Sequence, residues 1–272
     1  QAEDGIRDVE RSRGLGDVYK RQVNIDRTGI QFRRLNTSRG PAVRASRAQA
    51  DKKDYQFELK FVCEQQEHLD LRQGLMESLY IEQGRIRGVG VKGAITYLAH
   101  SVILTTGTFL KGKIHVGDFS YSAGRAGETS AEKASEGLAA LGFEIGRLKT
   151  GTPPRVNGRT LDFASMEIQP GDDPPRPFSY AVERIEEEQI PCWITYTNAG
   201  THELIEENLN RSAMYSGRIE GIGPRYCPSI EDKVVRFADK DRHQIFVEPE
   251  GRKTLEYYIN GCLLYTSDAA DE

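Results

Sequence analysis

The stretch from Gly84 to Gly107 constrains the fold more than any other part of the chain. Gly84-Arg-Ile-Arg-Gly-Val-Gly-Val-Lys-Gly93 and Ala94-Ile-Thr-Tyr-Leu-Ala99 carry strand patterning on either side of a glycine turn, which reads as a β-hairpin. Ser101-Val-Ile-Leu-Thr-Thr106 follows as an apolar run read as a buried strand. It ends at Gly107, where the missing side chain lets backbone come close to a ligand. Ser130 to Leu141 then places Ala131, Ala134, Leu138 and Leu141 at helical spacing and stops at Gly142, as helices commonly do. Strands interleaved with a helix in this way predict an α/β fold.

Elsewhere the pattern predicts a strand from Tyr55 to Phe61 and another at Ile190-Pro-Cys-Trp-Ile-Thr-Tyr-Thr197. A helix is expected from His202 to Asn210, with Thr201 as its N-cap and Glu203 in the first turn. Composition shifts at Lys149-Thr-Gly-Thr-Pro-Pro-Arg155 and again in the proline-rich stretch Pro170 to Pro177, so a second domain is expected to begin there.

The two ends read differently. Residues 1–22 show no hydrophobic periodicity, and residues 262–272 follow a strand-like segment abruptly. One codon choice for Asp17-Val-Tyr-Lys-Arg-Gln22 is GAT GTG TAT AAG AGA CAG. Its reverse complement, read one base along, encodes Cys-Leu-Leu-Tyr-Thr and begins a serine codon, which is Cys262 to Ser267. Ends related as opposite strands of one DNA word look like translated sequencing-library adaptor, so Val23 to Gly261 is expected to be the folding part. Without those ends the net charge of -4 nearly vanishes. No continuous apolar run is long enough to cross a bilayer and no signal pattern opens the chain, which makes a cytoplasmic protein the expectation. Cys63, Cys192, Cys227 and Cys262 lack metal-ligand spacing, so neither a zinc site nor a disulfide framework is indicated.

Four features carry possible chemistry. Arg27 to Lys53 holds eight basic residues against the single acid Asp51, either a solvated face or a phosphate-binding surface for RNA or a dinucleotide. Leu104-Thr-Thr-Gly-Thr108 is either an ordinary turn after a core strand or an element laid against a bound dinucleotide. Cys227 lies between Tyr226 and Pro228, beside Arg225 and near Lys233. Cationic neighbours lower a thiol pKa, so it is either a reactive thiolate or a small buried apolar residue. His115 is the one histidine set between glycines, with a structural role as its alternative; Cys63 and Cys192 read as core.

Taken in order, several blocks resemble one family: Gly29 to Arg44, Arg47-Ala-Gln-Ala-Asp51, Leu104 to Gly117, Gly146 to Arg155, and Gly223-Pro-Arg-Tyr-Cys-Pro-Ser-Ile-Glu-Asp-Lys-Val-Val-Arg-Phe237. They are similar to the MnmG/GidA family of FAD-dependent tRNA uridine 5-carboxymethylaminomethyl modification enzymes. The resemblance runs from Val23 to Gly261 and covers well under half of a full member. It implies a fragment of a two-dinucleotide-binding-domain flavoprotein, glutathione-reductase-like in its FAD domain, with an inserted NAD-binding α/β domain. Residues 23–150 would be part of the FAD domain, 151–250 the insertion and 251–261 the return.

The family's activity, which the resemblance implies for the parent protein, adds a (carboxymethyl)aminomethyl group to C5 of the tRNA wobble uridine. It works with the GTPase MnmE, as a homodimer within a heterotetramer and without a membrane. NADH supplies reducing equivalents, methylenetetrahydrofolate the carbon, and glycine or ammonia the amine. The family's second functional cysteine falls on Cys227. Its nicotinamide segment falls on Gly223, Pro224, Arg225, Tyr226, Pro228, Ser229, Ile230, Glu231, Asp232, Lys233, Val234, Val235, Arg236 and Phe237. FAD contacts fall on Leu75, on Thr105, Thr106, Gly107 and Thr108, and on Ser130 or its neighbour Ala131. Arg33, Arg39, Arg44 and Arg47 are the expected phosphate contacts, to tRNA or FAD, and no metal is expected. The family's Gly-x-Gly-x-x-Gly loop and first cysteine do not occur here, so this chain is expected to bind FAD poorly and to be inactive alone. Two rivals remain: a folate- and FAD-dependent tRNA uridine methyltransferase, and a non-catalytic RNA-binding protein.

Overall fold

The computed structural model describes residues 15–219, 229–261 and 264–269. The chain divides into two compact units. The first comprises residues 1–71, 155–195 and 244–260; the second comprises 72–154, 196–243 and 261–272. This partition interleaves the chain more than the expected domain boundaries do.

In the first unit, helix α1 (Leu15–Thr28) leads into strand β1 (Gly29–Leu35), which pairs antiparallel with β2 (Ala45–Ala50). Helix α2 (Lys52–Glu64) follows directly. Ile30 and Phe32, at 0% and 2% exposure, turn the hairpin's apolar face inward. The hairpin is stitched to a distant segment through its backbone. Ile190 N–H donates to the Ile30 carbonyl at 2.7 Å, Asp172 N–H to the Phe32 carbonyl at 2.8 Å, and Phe32 N–H to Gln189 Oε1 at 2.8 Å. Beside it lies a five-stranded sheet in the order β10 (Glu167–Gln169), β11 (Cys192–Tyr196), β12 (Gln244–Pro249), β13 (Glu256–Asn260), β9 (Arg155–Asn157). Its aromatic layer brings the Trp193 and Phe163 rings to 4.6 Å and Phe163 and Tyr257 to 5.2 Å, tilted contacts that add to apolar burial.

The second unit holds a three-stranded meander, β3 (Met76–Glu82), β4 (Arg85–Val91) and β5 (Ile95–Leu98), which confirms the predicted glycine-turn hairpin. It also holds a four-stranded sheet ordered β7 (Phe119–Ser122), β6 (Lys113–Val116), β14 (Leu264–Ala269), β8 (Leu148–Thr152). Helices α3 (Ala134–Ala140), α4 (Ala199–Glu207) and α5 (Ile230–Arg236) complete it.

Several expectations are corrected. Residues 55–61 are helical, because Asp51 caps α2 by accepting the Lys53 and Asp54 N–H groups. That cap outweighs the period-two spacing of Tyr55, Phe57, Leu59 and Phe61. Residues 101–106 form no strand, and Ile103 is 87% exposed, since no ladder partner reaches them among the described residues. Helix α3 starts at Ala134 rather than Ser130 and does end before Gly142, whose φ of 90° suits glycine. Helix α4 starts earlier than expected: Asn198, not Thr201, is its N-cap, accepting from Thr201 N–H at 2.9 Å. Both ends also enter regular structure. Residues 15–22 belong to α1, and 264–269 pair with the open edges of β6 and β8, where ladder bonds are made by backbone whatever the side chains.

Asp51 is the most heavily used buried carboxylate of the first unit. Oδ1 caps α2, Oδ2 accepts Arg252 N–H at 2.7 Å, and a Cβ at Gly251 would fall 2.6 Å from Oδ2. Asp51→Ala is therefore expected to lower stability by about 2 kcal/mol in denaturant unfolding. Asp51→Asn retains the cap but sets an amide against Arg252 N–H, so it should fall between the two; equal stability of all three would contradict this role.

Candidate functional site

Three segments expected to contact one ligand meet on a single small core in the second unit. Leu110, Ala131 and Ala134 form its buried centre, with Leu75, Met76 and Leu138 packed against it. Ala131 N–H donates to the Phe109 carbonyl at 2.7 Å and its own carbonyl accepts Lys111 N–H at 3.1 Å. Leu110 and Ala131 thus lie side by side as a parallel bridge. The Thr105 to Thr108 turn sits immediately before this bridge. Phe109 N–H closes it on the Thr106 carbonyl at 3.1 Å, and Thr108 Oγ1 donates to the Gly124 carbonyl at 2.6 Å. Gly107 at its apex has φ 53°, and nothing lies within 4 Å of where a Cβ would be, so backbone there faces open space.

Side-chain chemistry at this core is largely committed internally. Ser130 is fully buried, and its Oγ lies 2.8 Å from Ser122 Oγ. Both hydroxyls donate to Glu132, whose carboxyl they hold below its ordinary pKa. The Leu75 carbonyl accepts Lys92 N–H at 2.8 Å. What remains for a ligand is the exposed backbone of the Gly107 turn and the apolar flank behind it. These residues fit the edge of a flat ligand laid against that turn.

The described half of the Gly223 to Phe237 run begins at Ser229, the N-cap of α5. Its Oγ accepts Asp232 N–H at 3.0 Å, while Asp232 Oδ2 accepts Ser229 N–H at 3.4 Å, a reciprocal capping box. Ile230 and Val234 are buried, Val235 and Phe237 are exposed, and Lys233 Nζ donates to the Gly261 carbonyl at 2.9 Å. Glu231 accepts Ser212 Oγ and Asp232 accepts Tyr215 OH, while Arg236 pairs with Asp232 at 3.4 Å. Gly223, Pro224, Arg225, Tyr226, Cys227 and Pro228 lie outside the described residues.

The arginines of the basic stretch divide. Arg47 pairs with buried Glu248. Arg33, opposite Arg47 in the β1–β2 ladder, donates to the Pro170 carbonyl at 3.0 Å, and Arg44, near the hairpin tip, to the Thr37 carbonyl at 3.2 Å. The Arg39 side chain lies outside the described atoms. His115 is buried on β6, Cys63 lies half-buried on α2 rather than on a strand, and Cys192 is buried in the core as expected. Burial beside Glu248 pushes the Cys192 thiol up to about 12, which keeps it a thiol.

Sequence reasoning missed the acids that answer those cations. Glu248 and Glu250 flank Pro249 at the end of β12 and face Arg47, Lys52 and Arg155. The available signal was charge inside the otherwise apolar strand Ile245-Phe-Val-Glu248. A second missed group lies within the second unit. His202 and His243 have ring centroids 5.3 Å apart, and Thr197 Oγ1 lies 2.8 Å from His202 Nε2 while accepting His243 N–H at 2.8 Å.

Residues 16–266 match the family described as glucose inhibited division protein A. The tRNA uridine 5-carboxymethylaminomethyl modification enzymes MnmG of Geobacter sulfurreducens and Bacillus thuringiensis are 60% and 58% identical over 238 residues. That is 88% of this chain but only 38% of each relative, so the chain spans well under half of their length. The solved structure of Aquifex aeolicus GidA in its form I crystal superposes with a TM-score of 0.83 at 48% identity, covering 90% of this chain and 42% of that one.

Burial, together with the charges of His202, Lys233 and Lys240, holds the His243 imidazole below its ordinary 6.5. The folded state thus binds fewer protons than the unfolded chain below that pH, so stability is complete above about 6.5 and declines on acidification. His243→Gln should flatten this acid limb in unfolding measurements from pH 7.5 to 5; an unchanged slope would exclude His243 as its source.

Proposed function

Because the chain belongs to the glucose inhibited division protein A family, we propose that it is part of an enzyme that modifies the wobble uridine of tRNA at C5. The observation that supports this reading is the convergence of Leu75, the Thr105 to Thr108 turn and Ser130–Ala131 on one core beside the open Gly107 backbone. In this reading the turn and the Leu75 flank hold one edge of FAD, and FAD when bound supplies the two-electron redox chemistry. Among the described residues no glycine-rich loop at a helix N-terminus offers a cradle for its pyrophosphate. That part of the site would come from sequence beyond this chain.

Cys227 is assigned as the nucleophile or proton-transfer group at the uridine ring, where Arg225 and Lys233 favour the thiolate. Ser229 to Phe237 contribute a firmly capped helix to the nicotinamide side, with NADH as reductant and methylenetetrahydrofolate as carbon donor. Arg39 and Arg44 near the hairpin tip and Arg33 within β1 meet RNA phosphate, and Arg47 serves Glu248 as counter-ion. The GTPase MnmE is the partner of the complete protein, which acts in the cytoplasm as a homodimer within a heterotetramer.

Cys227→Ser in the full-length protein is expected to abolish the wobble modification, read by mass spectrometry of tRNA nucleosides from a complemented deletion strain, while flavin absorbance is kept. Normal modification would remove Cys227 from the mechanism. Loss of a group at another tRNA position in the deletion strain would favour the methyltransferase reading. The purified chain itself should carry no stoichiometric flavin absorbance; a bound flavin would overturn the need for the outside cradle.

A further inference from the structure

In the three-stranded meander of the second unit, the middle strand sets a glycine between two large side chains. Gly88 of β4 pairs with Tyr80 of β3 on one side and with Leu98 of β5 on the other. Neighbouring strands lie about 4.8 Å apart, so the two flanking backbones are about 10 Å apart, with no side chain on the floor between them. A flat ring in carbon contact on both of its faces needs about 7–8 Å, which this trough provides. Tyr80 and Leu98 are 42% and 75% exposed, so both walls are open to a ligand.

A cavity of about 420 Å³ lies here, lined by Tyr80, Glu82, Arg87, Leu98, Ala99 and His100. This is within the range of small-molecule sites, about 300–1,000 Å³. Strand alternation puts Glu82 on the same face as Tyr80. Arg87 reaches that face through a bulge: the ladder steps from Tyr80–Gly88 to Ile81–Ile86 and leaves Arg87 without a register partner on β3. Its carbonyl accepts Ala99 N–H at 2.8 Å, which holds β4 to the chain leaving β5 at this point. None of these residues belongs to the groups assigned above to flavin, nicotinamide or the reactive thiol.

The polar end of the trough sets a donor beside an acceptor. Arg87 Nε approaches Glu82 Oε2 at 3.5 Å, one long contact between exposed side chains, and this leaves the terminal guanidinium nitrogens and Oε1 to a ligand. One acid and one arginine cancel, so no fixed positive charge is left over to hold a phosphate. The groups instead suit the edge of a flat, uncharged ring. Among the RNA bases, guanine alone carries on one edge a carbonyl oxygen followed by two N–H donor groups. Its N1–H and amino group match a carboxylate, and its O6 matches a guanidinium.

We infer that this trough holds an unpaired guanine of RNA, with the base between Tyr80 and Leu98 over Gly88, its N1–H and amino group on Glu82 and its O6 on Arg87. Sequence-specific proteins commonly read single-stranded RNA in this way, by stacking a splayed base on an aromatic side chain and hydrogen-bonding its edge. The inference rests on the tRNA reading for RNA as the source of the base, while the choice of guanine follows from the cavity's own groups. It adds a nucleotide contact distinct from the uridine that is modified.

Titration of the full 272-residue chain with guanosine 5′-monophosphate, adenosine 5′-monophosphate, inorganic phosphate and the pentaribonucleotides UUGUU and UUAUU, followed by NMR chemical shifts, tests it. Guanosine monophosphate should bind at least fivefold more tightly than adenosine monophosphate, UUGUU at least fivefold more tightly than UUAUU, and phosphate should not compete. Tyr80→Leu should weaken the guanine nucleotide at least fivefold, and Tyr80→Phe should retain it. Glu82→Gln should reduce the preference for guanine over adenine at least threefold. Both side chains are exposed, and thermal unfolding at the parent's temperature shows that a variant's lost binding is not lost folding. Equal binding of the two mononucleotides, no binding at millimolar concentration, or an unaffected Tyr80→Leu variant would overturn the assignment. A guanine preference among mononucleotides that disappears between the pentamers would overturn RNA as the source. The titration needs no catalysis, so it can fail while the Cys227 experiment succeeds, and the reverse.

Discussion

Glu248 and Glu250 lie almost out of solvent at the end of β12, and the first unit is arranged around the need to neutralise them. A buried carboxylate deprived of its partner costs about 3–5 kcal/mol, so these two acids dictate where cations must be. Arg47 comes from β2, Lys52 from the first turn of α2 and Arg155 from β9. The three are far apart in sequence from the strand that holds the acids. Burial pushes the Glu250 carboxyl up, but hydrogen bonds and charge from Lys52 and Arg155 outweigh it and leave the group below its ordinary pKa. Asp51 completes the arrangement one residue away, tying the start of α2 to the turn at Arg252. Hairpin, helix and sheet are thus clamped at one edge.

This constraint also explains how the basic stretch from Arg27 to Lys53 divides between internal and external work. Its middle, at the tip of the β1–β2 hairpin, faces outward, while Arg47 and Lys52 near its end serve the interior. The second unit keeps a different balance. Its core around Leu110 and Ala131 is small, and much of its apolar surface stays open, with Ile103, Leu98 and Phe119 at 87%, 75% and 80% exposure.

Much was legible in the sequence where the determinant is local. The glycine turn between β4 and β5, the strand at Cys192, and the helix stop at Gly142 were readable because turn chemistry and left-handed backbone demand particular residues. The segment after Asp51 was misread because its apolar residues fit two periods, and the buried cap that decides between them takes its third donor from Arg252. Residues 101–106 show the opposite limit: an apolar run has strand character only where a ladder exists to receive it. At the candidate site, the Gly107 turn was visible from its threonines and glycine. The partners of Glu248 and Glu250 were not, since a cation lying about a hundred residues or more away leaves no local pattern.

The account depends most on the coupling between Arg47 and Glu248, which a double-mutant cycle measures directly. Unfolding free energies of Arg47→Met, Glu248→Gln and the double variant should show a coupling of at least about 1 kcal/mol, with the double variant less destabilised than the sum of the singles. Strict additivity would contradict the claim that pairing of buried acids organises the first unit.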